Sequence, residues 1–237
     1  MSDKIVSTAA NLQVLYEDNH IIAINKRVGD LVQGDKTGDK PLSDIVKEHL
    51  KNKYNKPGAA YLGVVHRLDR PTTGIVVFAK TSKVLPRLNA LFSNRETQKT
   101  YWAVVKNKPV PEQATLTHFL RRNEKNNTTA AFLKEVPDSK LAVLDYKIIK
   151  ELDNYCALEI HLHTGRHHQI RAQLAFIKSP IKGDLKYGFD RSNADGGIHL
   201  HARQLLFVHP VSKIDIKITA PTPNDVIWNA LENKKTI

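Results

Sequence analysis

The stretch HRLDRPTTG, residues 66–74, lies between two apolar runs, Leu62–Val65 and Ile75–Ala79. Short apolar runs that are bounded by turn-forming residues are typical of buried strands. A plain turn needs only the Asp, the Pro and the Gly of this stretch, which leaves the arginine on each side of Asp69 unexplained. The sequence therefore predicts two core strands joined by a segment in which Asp69 is either a turn residue or a chemical reagent.

Strand patterns dominate the rest of the chain, and they follow one another as hairpins. Strands are predicted within residues 12–27 (with a turn at 17–19), 100–105, 114–120, 130–136, 142–152, 154–164, 199–210 and 213–221. Helical spacing is found in residues 44–54, 82–95 (with Ser82 as the N-cap), 167–178 and 223–235. Because strands outnumber helices and do not alternate with them, we expect an α+β fold around a mainly antiparallel sheet.

Composition favours a nucleic-acid partner. The chain has 36 Lys and Arg against 24 Asp and Glu, a net charge of +12, and such an excess favours binding to a polyanion. No repeat or composition shift divides the chain, so we expect one domain over residues 1–237, with a flexible N-terminus at 1–11. The single cysteine, Cys156, excludes a disulfide within the chain and a thiolate metal site, and its strand pattern places it in the core.

Several classes of protein have no support in the sequence. The first residues lack the apolar segment of a signal peptide, and no apolar run approaches the ~18 residues of a membrane span. We therefore expect a cytoplasmic protein that does not enter a membrane. Neither GxxxxGK[ST] nor GxGxxG occurs, so no nucleotide cofactor is predicted.

Asp69 is the first candidate for chemistry. Its neighbours His66, Arg67 and Arg70 would favour the ionised carboxylate, which makes it available as a nucleophile or a base. A Pro-containing turn that the aspartate caps is the alternative.

A second candidate is LHTGRHHQIRAQLA, residues 162–175, in which histidines cluster with Arg166 and Arg171. Zinc binding is disfavoured because no HExxH is present and the arginines repel a dication. We instead expect a loop-to-helix junction with basic side chains that face phosphates, and Arg171 beside Gln169 on the polar side of the helix. Arg171 could also pair with a buried carboxylate and hold it ionised.

The third candidate is Tyr101, in ETQKTYWAVV, residues 96–105. A tyrosine in a cleft offers a ring for base stacking and a hydroxyl for proton transfer. The alternative is a tyrosine of the sheet core.

Together these stretches resemble one family. VVHRLDRPTTGIVVFAK (64–80) is similar to the HRLDxxTSG signature, apolar strand and AK of RluA-type RNA pseudouridine synthases. Four further segments match in the right order: EDNHIIAINK (17–26), KTYWAVV (99–105), TGRHHQIRAQLA (164–175) and HLHARQLLFVHP (199–210). The resemblance spans nearly the whole chain.

The resemblance implies the pseudouridine synthase fold, a bent and mainly antiparallel sheet with flanking helices and a central RNA-binding cleft. It implies an isomerase that acts on uridines of rRNA or tRNA without a metal or cofactor, and we expect a monomer. Asp69 would be the essential carboxylate, Arg67 would replace the extruded uridine in the RNA stack, Tyr101 would pack on the base, and Arg171 would pair with Asp69. The implied RNA contacts are His66, Arg67, Lys99, Arg166, His168 and Ile170.

Some residues depart from the family pattern. NKPAG has become NKRVG at residues 25–29, TSG has become TTG, and GRTHQIR has become GRHHQIR at 165–171. We expect no S4 domain, because about a dozen residues precede the first strand. Two other functions remain open: a non-catalytic RNA-binding module, and a metal-dependent phosphoesterase that uses the histidine cluster.

Overall fold

The computed structural model describes residues 5–35 and 37–232. They form two compact units: the first contains the chain up to Gln98 together with Ala202–Pro223, and the second contains Lys99–His201 and the chain from Asn224. Residues 1–4 of the predicted flexible N-terminus, and residues 233–235 of the predicted last helix, lie outside the described residues. Within the described range, no helix is long and apolar enough to cross a membrane.

Strands dominate both units, as predicted. The strands are β1 (Val14–Glu17), β2 (Ile21–Lys26), β3 (Gly63–Val64), β4 (Thr73–Ala79), β5 (Gln98–Val105), β6 (Gln113–Asn123), β7 (Thr128–Phe132), β8 (Lys140–Glu151), β9 (Cys156–Leu162), β10 (Leu200–Val208) and β11 (Asp215–Thr219). The helices are α1 (Leu42–Lys53), α2 (Leu85–Ser93), α3 (Gln169–Phe176) and α4 (Val226–Leu231). The predicted α+β class is confirmed.

The first unit is built on β2 and β4. These strands pair antiparallel, from Ile21 opposite Ala79 to Lys26 opposite Gly74, and every residue of both strands is buried. Because side chains alternate between the faces of a strand, each strand contributes to two cores. Ile22 and Phe78 pack with the apolar face of α1, and the alternate residues pack with β11 and with Leu88 of α2.

The two helices predicted for the first unit are present, with small differences at their ends. The helical spacing of residues 44–54 is confirmed by α1, in which Leu42, Ile45, Val46 and Leu50 are buried. Ser82 was the wrong cap for α2, because the helix begins at Leu85 and the backbone N–H of Val84 donates instead to Thr81 Oγ1 at 3.3 Å.

The second unit contains an antiparallel sheet in the order β5–β9–β8–β6–β7. Its core includes Cys156, as predicted, together with Leu158 and Ile160 on the same face of β9 and Ile170 and Leu174 of α3. The predicted strand 130–136 is too long, since β7 ends at Phe132.

Candidate active site

The HRLD segment joins β3 to β4 in the first unit. Asp69 is partly buried, whereas Arg67 and Arg70 are exposed. The backbone carbonyl of Asp69 accepts a hydrogen bond from the N–H of Thr72 at 3.0 Å, so the aspartate does begin a turn. The guanidinium of Arg70 pairs with Asp39 at 2.5 Å.

His66 fixes the start of this segment. Its Nε2 accepts the backbone N–H of Val77 in β4 at 3.0 Å, which leaves the ring proton on Nδ1. The imidazole also stacks on Phe92 of α2, with ring centroids 4.5 Å apart. These contacts give His66 a structural role, and its RNA contact stays a prediction.

Lys26 supports the far end of the segment. This lysine is 1% exposed, and its Nζ donates to the backbone carbonyls of Arg27, Arg70 and Thr72 at 3.0, 3.0 and 2.7 Å. The turn that follows Asp69 is thus held by a buried ammonium at the end of β2.

Gly74 lets β4 begin directly after the turn. Its φ of +109° lies in a region that favours glycine. A Cβ at this position would lie 2.3 Å from the carbonyl oxygen of Ala202 in β10. The final glycine of HRLDRPTTG is therefore required by the close approach of two backbones.

In the second unit, Arg171 of α3 forms an almost fully buried ion pair. Its Nε and Nη2 donate to the two carboxylate oxygens of Asp184 at 2.7 and 2.9 Å, and the two side chains are 5% and 1% exposed. The guanidinium also lies over the ring of Tyr187, 4.9 Å from its centroid. Gln169 and Arg171 are buried rather than directed outward, so the alternative of a buried carboxylate partner for Arg171 is confirmed.

Tyr187 links this ion pair to the residues that precede α3. Burial raises the pKa of its phenol. The hydroxyl accepts the backbone N–H of Thr129 at 2.8 Å and lies 2.9 Å from His168 Nδ1. His168 adopts the left-handed conformation, with φ of 49°, and stacks on His167 at 3.8 Å between ring centroids. The polar groups under α3 therefore form one network.

The remaining predicted residues of the second unit differ in exposure. Tyr101 is partly buried and packs against the core, and burial lowers the pKa of Lys99. Ile170 and His168 are 4% and 8% exposed, so each has a structural role, and their RNA contacts stay predictions. Arg166 borders a surface pocket of about 620 Å³.

The pocket beside Arg166 is rich in polar groups. Arg122 and Lys140 supply positive charge to it, and Glu124 and Asp138 supply negative charge. Arg166 Nε donates to the backbone carbonyl of Leu141 at 3.0 Å, which orients the guanidinium at the pocket edge.

Two histidines at the end of β9, His161 and His163, are paired with carboxylates. His163 Nε2 lies 2.6 Å from Asp145, and His161 Nε2 lies 3.3 Å from Glu159. A hydrogen bond from Thr115, with further help from His163, lowers the pKa of Asp145. Within residues 5–35 and 37–232, no group of three or more His, Cys, Asp or Glu could hold a metal ion.

Sequence reasoning missed Lys26, Asp184 and Tyr187. A signal for the last two is the segment KGDLKYG, residues 182–188, in which both glycines have positive φ. A Cβ on Gly183 would lie 2.7 Å from the side-chain nitrogen of Asn193 and 2.8 Å from the carbonyl oxygen of Gly197. The turn before Asp184 therefore requires glycine, and it places the carboxylate under α3.

Comparisons with known proteins agree with these observations. The family model for RNA pseudouridylate synthase matches residues 20–176. The tRNA pseudouridine synthase C of Vibrio cholerae is 29% identical over 93% of this chain and 94% of its own length. The ribosomal large subunit pseudouridine synthase D of Xylella fastidiosa is 34% identical over 91% of this chain and 67% of its own length.

A solved structure shares the fold. Human RNA pseudouridylate synthase domain containing 4 superposes with a TM-score of 0.76 at 22% identity, over 93% of this chain and 92% of that one. Together with the family model, this confirms the resemblance that HRLD and GRHHQIR indicated. The chain belongs to the RNA pseudouridylate synthase family, whose members are isomerases.

Proposed function

We propose that this chain converts specific uridines of tRNA or rRNA to pseudouridine, with Asp69 as the catalytic carboxylate. The observation that carries the proposal is the position of Asp69 in the HRLD segment, partly buried and at the start of a turn that is anchored on both sides. The names of the relatives, one a tRNA enzyme and one a ribosomal enzyme, support these two substrate classes. The net charge of +12 favours either RNA.

The reaction breaks the N1–C1′ bond of uridine and joins C5 to C1′. The proton on C5 leaves, and N1 gains a proton, so the product is an isomer and no oxidant is consumed. Asp69 acts either by attack on carbon or by removal of a ribose proton. Tyr101 holds the base and assists the loss of the C5 proton. Arg171, which pairs with Asp184, is the third proposed catalytic residue.

The target nucleotide must leave the RNA stack before Asp69 can act on it. Extrusion costs on the order of a few kcal/mol of stacking. Arg67 is exposed, and its planar guanidinium can stack in the vacated space and bind neighbouring base edges. His66, Lys99, Arg166, His168 and Ile170 are the further proposed RNA contacts.

The chain is proposed to act as a single catalytic domain over residues 1–237, as a cytoplasmic monomer, without a metal or nucleotide cofactor. The experiment that tests the function is tritium release from RNA labelled at C5 of uridine. Purified chain should release tritium from either the tRNA or the rRNA fraction, in the presence of EDTA. Binding of both fractions without tritium release would favour a non-catalytic RNA-binding module.

A further inference from the structure

Lys26 is a buried lysine with a complete set of acceptors. Its ammonium has three N–H donors and no acceptor, and it contacts three backbone carbonyl oxygens at hydrogen-bonding distance. A charge inside a protein is stable only when polar partners replace its water. The side chain is therefore specified by these carbonyls and does not serve as a surface cation.

Two of the three carbonyls belong to the turn that Asp69 begins. They are those of Arg70, the next residue, and of Thr72, whose own N–H closes the turn on the Asp69 carbonyl. The Arg70 carbonyl also accepts the N–H of Gly29 at 2.9 Å. The backbone after Asp69 is thus bound to the end of β2 and to the loop that follows it.

The position of Lys26 at the end of a buried strand makes this support rigid. It is the last residue of β2, whose residues are all buried, and it pairs with Gly74 at the start of β4. A flexible stem that ends in a compact ammonium can satisfy three convergent carbonyls, whereas the planar fork of arginine cannot.

We propose that Lys26 is a positioning residue for the reaction, which fixes the backbone beside Asp69 and so holds the carboxylate in its working orientation. The inference rests on the proposed role of Asp69. Lys26 acts through the peptide groups of residues 70 and 72 and makes no contact with the uridine.

The test compares Lys26→Met with Lys80→Met. Lys80 belongs to the same unit, its side chain is 9% exposed, and its ammonium binds Glu17 and the carbonyl of Asp18 rather than the HRLD segment. Both variants remove a largely buried ammonium and keep an unbranched stem. Their single-turnover rates at saturating enzyme, RNA affinities, thermal midpoints and hydrogen–deuterium exchange over residues 66–74 are measured together.

Lys26→Met should lower the single-turnover rate by about 100-fold, the effect expected when a catalytic group moves by about 1 Å. Its RNA Kd should stay within about threefold, because binding and chemistry are separate steps. Exchange over residues 66–74 should become faster in this variant alone. Lys80→Met should lower the thermal midpoint but keep the rate. A parental rate in folded Lys26→Met, or an equal loss of rate in both variants, would overturn the proposal.

Lys26→Gln covers the case in which Lys26→Met does not fold. Its amide has two N–H donors for three carbonyls and a shorter reach, so a slower rate and faster exchange are again expected, and a parental rate overturns the role. Asp69→Asn is assayed alongside. If Asp69→Asn stays active, the proposed function fails; if it is inactive while Lys26→Met or Lys26→Gln is normal, only the positioning role of Lys26 fails.

Discussion

Arg171 and Asp184 form a two-point ion pair beneath Tyr187, with the aspartate carboxylate almost fully buried. The two residues are 13 positions apart, and both charges have lost most of their water. Replacement of both residues of such a pair by apolar residues changes the free energy of unfolding little. Removal of one partner alone lowers it, because the other charge stays buried. Asp184 therefore accepts two of the hydrogen bonds that compensate the buried guanidinium of Arg171.

Asp184→Asn should lower the free energy of unfolding by about 3–5 kcal/mol, because the buried guanidinium keeps its charge and loses the carboxylate that accepts two of its hydrogen bonds. Urea denaturation measures this change. The control is Asp190→Asn, which breaks the exposed pair with Lys106 and should leave the urea midpoint unchanged. Equal midpoints for the two variants would show that the Arg171 pair contributes no more than a surface contact.

Glu17 makes stability depend on pH. Burial by itself raises its pKa, but hydrogen bonds from Lys53, Lys80 and Tyr54 outweigh burial and lower the pKa to about 2 from its usual value of 4.5. Its stabilising effect is fully present above the unfolded pKa near 4.5 and is lost as the pH falls through the folded pKa near 2.

Glu17→Gln should therefore be less stable than the parent protein at neutral pH, and the difference should shrink as the pH falls from 4.5 to 2. Thermal midpoints of both proteins across this window test the prediction. A difference that stays constant down to pH 2 would mean that the carboxylate is not held ionised by its neighbours.

Gly74→Ala should lower the stability of the first unit by more than about 1 kcal/mol. The φ of Gly74 is positive, and the new Cβ would lie 2.3 Å from the carbonyl oxygen of Ala202. Gly58→Ala is the matched control, since no atom lies within 4 Å of a Cβ at that position. Thermal unfolding of the two variants gives the comparison. A Gly74→Ala protein as stable as Gly58→Ala would contradict the close approach of β4 and β10.

Arg166 is expected to contact an RNA phosphate from the pocket edge. Arg166→Ala should weaken RNA binding similarly for all sequences and reduce the slope of log K against log salt by about 1. Lys47→Ala, which removes a cation already paired with Asp44 on α1, should leave the slope unchanged. Binding titrations at several salt concentrations measure it, and an unaltered slope for Arg166→Ala would remove this residue from the interface.

The parts of the fold that follow from local pattern were predictable. The continuous apolar runs of β2 and β4 indicate strands that are buried on both faces, and the 3.6-residue spacing of α1 indicates which side of the helix faces the core. The start of α2 was missed because its N-cap is Val84, which makes no side-chain capping hydrogen bond, so no capping residue marks it in the sequence.

The residues that hold the site in place were harder to predict than the residues proposed for its chemistry. Asp69 and Arg171 belong to recognisable motifs. The pairing of Asp184 with Arg171 depends instead on a turn that brings the chain back to α3. Lys26 binds backbone carbonyls, and every residue type supplies such an acceptor. The sequence therefore contains no side-chain pattern that marks these bonds.

The most direct test of the account replaces Asp69 by asparagine and measures tritium release from 5-tritiated uridine RNA in a single turnover. Asp44→Asn, the same change at an exposed position on α1, is the control. The account predicts that Asp69→Asn lowers the rate by about 10³-fold or more while RNA affinity is retained, because the charge that performs the chemistry is gone. Release at the parental rate by Asp69→Asn would contradict the central role of this carboxylate.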